Sequence, residues 1–317
     1  MPALKEKSLI ELIRRRTRGG AAVIRGIGDD SAVLRVPTGH QLLVTTDFTL
    51  ENVHFRREWH PPEVVGWRCL TRGLSDIAAM GGEPRAAFLS MALDRRTPQR
   101  WVDGFLDGLL DAASEFGVPL AGGDTAQSAG GIQADIVVVG SVPKGKAVLR
   151  SGARPGDGIY VTGELGGSAA ALERLRKGRA RAEDHDRHFH PVARVKVGHW
   201  LRHKGLASAM IDISDGLSTD LEHICKESGV GAEIDVAAIP RARVGRPAQQ
   251  VGLEKALNGG EDYELLFTSA KKIPAKVAGV PVTGMGRITR KGGMVLVAED
   301  GTRRRLGARG WEHFKGN

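Results

Sequence analysis

Cysteine is scarce. The chain carries two, Cys69 and Cys225, each inside an apolar, helix-like stretch and neither in a Cys/His pattern with metal-ligand spacing. That excludes a disulfide framework and a zinc module, and both cysteines read as reduced, buried thiols. Aromatic residues make up 5% of the chain and do not interleave with its short basic groups, Arg14–Arg16 and Arg303–Arg305. A stacking surface for single-stranded nucleic acid is therefore not expected. No apolar run approaches the roughly 18 residues of a membrane span, and Met1–Gly20 has neither the apolar core nor the cleavage site of a secretion signal. The expected place is the cytoplasm, with neither nucleic acid nor membrane as partner. Also missing are the G-x-x-x-x-G-K-[ST] segment of a P-loop and the motif set of a protein kinase.

What is present is an ordinary globular composition, 41% apolar and 26% charged over 317 residues, long enough for two domains. The net charge of +9 is scattered along the chain, which is compatible with attracting small anions. Helical patterns are expected at Leu9–Arg16, at Glu63–Met80 closed by Gly81-Gly82, and after Thr97-Pro98 as N-cap and first turn. In the last, Trp101, Phe105, Leu109, Ala112 and Phe116 recur at helical spacing until Gly117. Gln41–Thr46, Val118–Ala121 and Ile132–Val142 read as strands. A turn-rich stretch, Val142–Gly156, marks a boundary between domains 1–145 and 146–317. Beyond it, strands are expected at Gly158–Thr162, Ala209–Ile213, Glu233–Val236, Tyr263–Thr268, Val282–Thr289 and Met294–Ala298. Helices fall at Gly166–Lys177, Val192–His203 and Gly216–Ser228, and Gly178–His190 reads as a surface excursion. Strands and helices mix without strict alternation, which points to a mixed α/β (α+β) fold rather than a doubly wound sheet.

The informative pattern is a series of aspartates beside glycines or at strand ends: Asp29-Asp30, Asp47, Asp76, Asp124, Asp212 and Asp215. Aspartate is a short, hard-oxygen ligand of the kind magnesium takes alongside water and phosphate oxygens. Taken singly, Asp next to Gly is commonly a turn or a helix cap, and Asp215 before Gly216-Leu217 can simply cap the helix that follows. Asp76 lies inside a helical pattern, where capping does not explain it. Asp47 and Asp212 interrupt apolar runs, so each semi-buried carboxylate needs a cation or donors. The joint occurrence suggests a cluster of several metals. If ATP is used, its phosphates are neutralised mainly by metals on carboxylates.

The segments IGDDSAV (Ile27–Val33), TTDFTLENVHF (Thr45–Phe55), LSDIAAMGG (Leu74–Gly82), AGGDT (Ala121–Thr125), LRSGARPGD (Leu149–Asp157), IDISDGLSTDL (Ile211–Leu221) and GGEDYELLF (Gly259–Phe267) resemble, in order, those of the thiamine-monophosphate kinase family. That family sits within a superfamily typified by aminoimidazole ribonucleotide synthetase. The resemblance implies a two-domain fold of that type, in which the N-terminal domain holds ATP and pairs with a second copy into a dimeric, barrel-like core. It implies an enzyme that phosphorylates thiamine monophosphate with ATP as co-substrate and several magnesium ions as cofactors. Asp30, Thr45, Thr46, Asp47, Asp76, Asp124, Asp212 and Asp215 match metal positions, with Asp47, Asp124 and Asp212 at the catalytic centre. Gly123, Asp124, Arg150 and Ser214 match ATP contacts, and His54, Glu261 and Trp311 match substrate contacts. Singly, His54 also reads as a polar loop residue, Glu261 as a turn cap and Trp311 as core. Alternative functions are another ATP-using enzyme of the superfamily, a non-catalytic nucleotide- or metal-binding regulator, and a two-metal phosphatase.

Overall fold

Two separate units form from these patterns in a computed structural model of the chain, which describes residues 6–178, 185–290 and 293–312. The first runs to Ile77 and resumes over Gly82–Gly145, and the second takes Ala78–Gly81 and the chain from Lys146 onward. Among the described residues no helix is long and apolar enough to cross a membrane.

In the first unit, helix α1 (Glu6–Arg16) precedes a hairpin of β1 (Val23–Arg25) and β2 (Val33–Leu34). There follow β3 (His40–Leu50), α2 (Pro62–Ala79), β4 (Glu83–Leu93), α3 (Gln99–Phe116), β5 (Leu120–Gln127) and β6 (Gln133–Pro143). Four strands make one sheet in the order β3-β6-β4-β5, with β4 and β5 parallel and the other neighbours antiparallel. The sheet is open, with β3 and β5 as its edges, and no barrel closes within one chain among the described residues. The two helices meet backbone to backbone. A methyl group at Gly66 would overlap the Phe105 carbonyl oxygen, and one at Gly108 the Glu63 carbonyl oxygen. Because side chains alternate across a strand, Leu43 and Thr49 of β3 are buried while Leu42, Val44 and Phe48, on the opposite face, are 49%, 66% and 59% exposed.

Three details differ from the sequence expectation. Pro98 rather than Thr97 occupies the N-cap of α3, and no side chain caps it. β5 does not stop at Ala121, because parallel pairing with β4 carries it through Gly122-Gly123-Asp124. β4 itself is a strand that the apolar pattern did not reveal.

The second unit contains β7 (Gly158–Thr162), α4 (Gly167–Arg176), α5 (Asp186–Phe189), α6 (Val195–His203), β8 (Ala209–Asp212), α7 (Leu217–Ser228) and β9 (Gly231–Asp235). It continues with β10 (Arg243–Val244), β11 (Gln249–Gln250), α8 (Leu253–Asn258), β12 (Leu265–Ser269), β13 (Lys276–Val277), β14 (Val280–Thr289), β15 (Met294–Val297) and β16 (Arg303–Leu306). Its main sheet runs β16-β15-β9-β14-β7-β12-β8, and the one parallel pair among its described strands is β15 with β9. Alternate residues feed two cores. Ile211 and Leu266 pack with Leu217, Leu221 and Ile224 of α7, whereas Met210, Leu265 and Phe267 pack with Val197 and Leu201 of α6. This mixed, mainly antiparallel arrangement agrees with the expected fold class.

Part of the excursion expected at Gly178–His190, residues 179–184, lies outside the described residues. The remainder is exposed at Asp186, Arg187 and His190 but anchored inward: His188 and Phe189 of α5 are buried, and Ser168 Oγ lies 2.8 Å from His188 Nδ1. Both cysteines are free and buried. Burial pushes the Cys69 thiol up to about 12 and that of Cys225 up to about 11, so neither supplies a thiolate nucleophile.

Candidate active site

In the first unit, a cavity of about 660 Å³ is lined by Asp29, Asp30, Gly123 and Asp124, with Ile10 and Ile13 of α1 forming an apolar side. The structure thus brings Asp30, from the loop after β1, to the glycine-rich segment of β5. Gly123 has φ +151, and any Cβ there would overlap the Leu89 carbonyl oxygen of β4, so only glycine lets the two strands pass at this point. Asp124 Oδ1 accepts the Thr125 N–H at 2.8 Å, which fixes the carboxylate beside the bare backbone.

Strand register separates the other predicted ligands of this unit. Thr45 and Asp47 face α2: the Thr45 hydroxyl donates to Asp76 Oδ2, and Arg72 donates to Asp47 at 3.2 Å. Thr46 points the other way and donates to Asp135 Oδ1 at 2.6 Å. Ser90 is in register with both Asp124 and Asp135, so those two carboxylates stand on the same face as Thr46. Asp135 and Arg72 were both missed by sequence reasoning. The available signal was a charged residue inside an otherwise apolar strand or helix pattern. His54 belongs to the loop after β3, where the Leu50 N–H donates to its Nδ1 at 3.0 Å. In the neutral ring this makes Nδ1 the acceptor and leaves the proton on Nε2.

In the second unit five predicted residues come together. β8 ends at Asp212, a residue only 4% exposed. The Glu261 N–H donates to the Ser214 carbonyl at 2.8 Å, and the Trp311 N–H to the Asp215 carbonyl at 3.0 Å. Asp220, which the sequence reading passed over, holds the same loop: its Oδ2 accepts the N–H groups of Asp215 at 3.2 Å and Gly216 at 3.0 Å. Burial, reinforced by the charges of Asp212 and Asp215, keeps the Asp220 carboxyl protonated well above the ordinary carboxylate range. Arg150 is not gathered here. Its carbonyl accepts Ser228 Oγ at 3.2 Å, at the far end of α7, about 18 Å of helix from Ser214. Behind Glu261, Asp262 accepts the N–H groups of Gly166 at 2.7 Å and Ser168 at 3.3 Å. Glu264 is bound by Arg194 Nε at 2.7 Å and the Thr162 hydroxyl at 2.6 Å.

Among the described residues no three His, Cys, Asp or Glu side chains form a group that could hold a metal ion. The donor chemistry nonetheless suits a hard cation within each unit taken alone. The first offers Thr45 Oγ1 and the Asp47 and Asp76 carboxylates on one face. The second offers the Asp212 and Asp215 carboxylates, beside an Asp220 carboxyl that burial first, and the charges of those two second, hold in its protonated form.

Residues 28–142 match the N-terminal domain of AIR synthase related protein, and residues 154–306 match the C-terminal domain of the same class. The chain is 38% identical to the thiamine-monophosphate kinase of Escherichia coli (strain K12) over 330 residues, 98% of this chain and 99% of that one. Among AIR synthase related proteins, it belongs to the thiamine-monophosphate kinase family. A crystal structure of thiamine-monophosphate kinase from Stenotrophomonas maltophilia K279a superposes with a TM-score of 0.83 at 34% identity, covering 96% of this chain and 99% of that one. AaThiL complexed with AMPPCP and TMP gives a TM-score of 0.77 at 32% identity, covering 98% and 99%.

Proposed function

We propose that the chain transfers the terminal phosphoryl group of ATP to thiamine monophosphate, giving thiamine diphosphate and ADP. The observation that carries this reading is the 38% identity to a thiamine-monophosphate kinase along 98% of the chain. Two polyanions must meet in that reaction, and there is little covalent work for side chains to do. The metal donors are Asp30, Thr45, Thr46, Asp47, Asp76 and Asp124 in residues 1–145, and Asp212 and Asp215 in residues 146–317. Magnesium bound to such donors supplies charge neutralisation between the two phosphates.

The protein's own groups do the rest. Gly123 lets a phosphate approach main-chain N–H groups, with Arg150 and Ser214 as further nucleotide contacts. His54 offers its Nε2–H to the acceptor phosphate. Glu261 and Trp311 hold thiamine, the indole face meeting a flat, cationic ring. An acceptor phosphate with a second pKa of about 6 is already ionised at neutral pH, so transfer is direct and in line, with no general base and no phosphoenzyme. Two copies pair through the exposed apolar face of β3. The test is product chromatography after mixing protein, ATP, magnesium and thiamine monophosphate. Thiamine diphosphate and ADP should appear in equal amounts. ATP consumption with a different superfamily substrate, or phosphate release without ATP, would replace the reading.

A further inference from the structure

Asp47 already has a cation beside it. Arg72 stands one helical turn before Asp76 on α2, and its Nε and Nη2 both donate to Asp47 Oδ1, at 3.4 and 3.2 Å. The two side chains are 14% and 28% exposed, so water screens their attraction less than it would at an open surface. The neighbouring carboxylate of Asp76 takes the Thr45 hydroxyl. Both acids on this face of the sheet therefore have partners supplied by the first unit itself.

We propose that Arg72 is a positioning residue acting as an internal counter-ion for Asp47: it competes with free divalent cations, so that Asp47 takes up metal together with the nucleotide rather than ahead of it. This rests on the reading of Asp47 as a metal ligand given above. A guanidinium is always charged. A lone divalent cation nearing Asp47 meets a carboxylate already offset and a like charge next to it. A metal–nucleotide complex brings its own negative charge, and its phosphates can accept the hydrogen bonds that Arg72 gives up. Arg72 thus sets the order of loading.

Binding of Mn²⁺ alone, followed by loss of the free-ion electron paramagnetic resonance signal, tests this. Arg72→Gln should bind Mn²⁺ about two- to fivefold more tightly than the unaltered chain, the factor set by one partly screened ion pair. Arg72→Lys, which keeps the charge, should stay near the unaltered value, and adding AMPPCP should shrink the difference between Arg72→Gln and the unaltered chain. A residue of purely structural importance would loosen metal binding when replaced, not tighten it. Unchanged or weaker binding by Arg72→Gln, or Arg72→Lys behaving like Arg72→Gln, overturns the proposal. Asp47→Asn separates the two levels. If it leaves Mn²⁺ binding intact with Arg72 present or replaced, Asp47 is no ligand and the underlying reading falls as well. If it weakens binding while Arg72→Gln has no effect, the counter-ion role alone is lost. The Arg72 Nε chemical shift, followed by NMR on the unaltered chain, needs no variant. It should keep its metal-free value with Mg²⁺ alone and move once AMPPCP is also present, and an unchanged value in both states counts against the idea.

Discussion

Trp311 reaches its place through backbone hydrogen bonds rather than burial. The Arg309 N–H donates to Ser218 Oγ at 3.2 Å and the Gly310 N–H to Thr219 Oγ1 at 3.0 Å, while the Trp311 N–H holds the Asp215 carbonyl at 3.0 Å. The segment Arg309–Trp311 is thereby fastened along the first turn of α7, with Trp311 54% exposed. An indole left this open contributes little to folding, because most of its apolar surface stays in water. The role proposed for it is to meet a cationic ring, an attraction of about 0.5–2 kcal/mol. Trp311→Ala should accordingly raise the KM for thiamine monophosphate by roughly 2- to 30-fold, the range that attraction converts to. The KM for ATP and the melting temperature should stay close to those of the unaltered chain. Steady-state kinetics with each substrate varied in turn decides it, and equal rises in both KM values would remove Trp311 from the thiamine site.

Between α8 and β12 a single segment stores strain. Glu261 and Tyr263 both adopt positive φ, 62° and 50°, a conformation costing about 1 kcal/mol or more each outside glycine. It persists because its two flanks are tied down: the Glu261 and Tyr263 N–H groups donate to the Ser214 and Ile213 carbonyls, and Asp262 between them accepts two N–H groups from the start of α4. Burial raises the Asp262 carboxyl to about 7, outweighing those two donors, which act to lower it. The folded chain therefore holds this proton more tightly than the unfolded chain does. The stability this adds is full below the unfolded value of about 4 and is lost as pH rises toward about 7. Asp262→Asn stays neutral throughout. Its melting temperature relative to the unaltered chain should rise steadily from about pH 5 to about pH 7.5, as thermal scans across that interval would show. A difference that does not change with pH would mean Asp262 is ionised inside the fold.

The same elements show what could be read before any coordinates. α2, α3, α7 and the strands β7, β12 and β14 announce themselves by periodicity and by the glycines that end them. β4 does not, because Glu83-Pro84-Arg85 opens it with two charges and a proline, and its burial is decided by the strands on either side. β5 hides behind Gly122-Gly123, which read as a turn and become strand only through pairing with β4. At the site, the aspartate–glycine motifs were visible as chemistry, but their grouping was not. Whether Thr45 or Thr46 faces α2 depends on register, and Asp135 and Arg72 acquire roles only through partners far along the chain. The proximity of Trp311 to Asp215 depends on a tail whose hydrogen bonds leave no periodic trace.

At the scale of the whole molecule, the first unit presents an edge strand with a greasy side. Leu42, Val44 and Phe48 of β3 lie on one face, each about half exposed or more, and strand pairing extends that face to the half-buried Val137 of β6. Monomers rarely leave such a row uncovered, since an unpaired edge and an apolar patch both invite association. The proposed second copy would satisfy both at once, because a two-fold axis lays the same row against itself. Val44 is 66% exposed and in the middle of that row, so a charge there should cost the single chain little and a symmetric interface a great deal, as it would be buried twice. Val44→Arg should sediment as a monomer, with unchanged circular dichroism, at concentrations where the unaltered chain sediments as a dimer. A variant that still pairs would place the contact on another surface and leave this face of β3 unexplained, whereas an unaltered chain that is itself monomeric would end the pairing proposal outright.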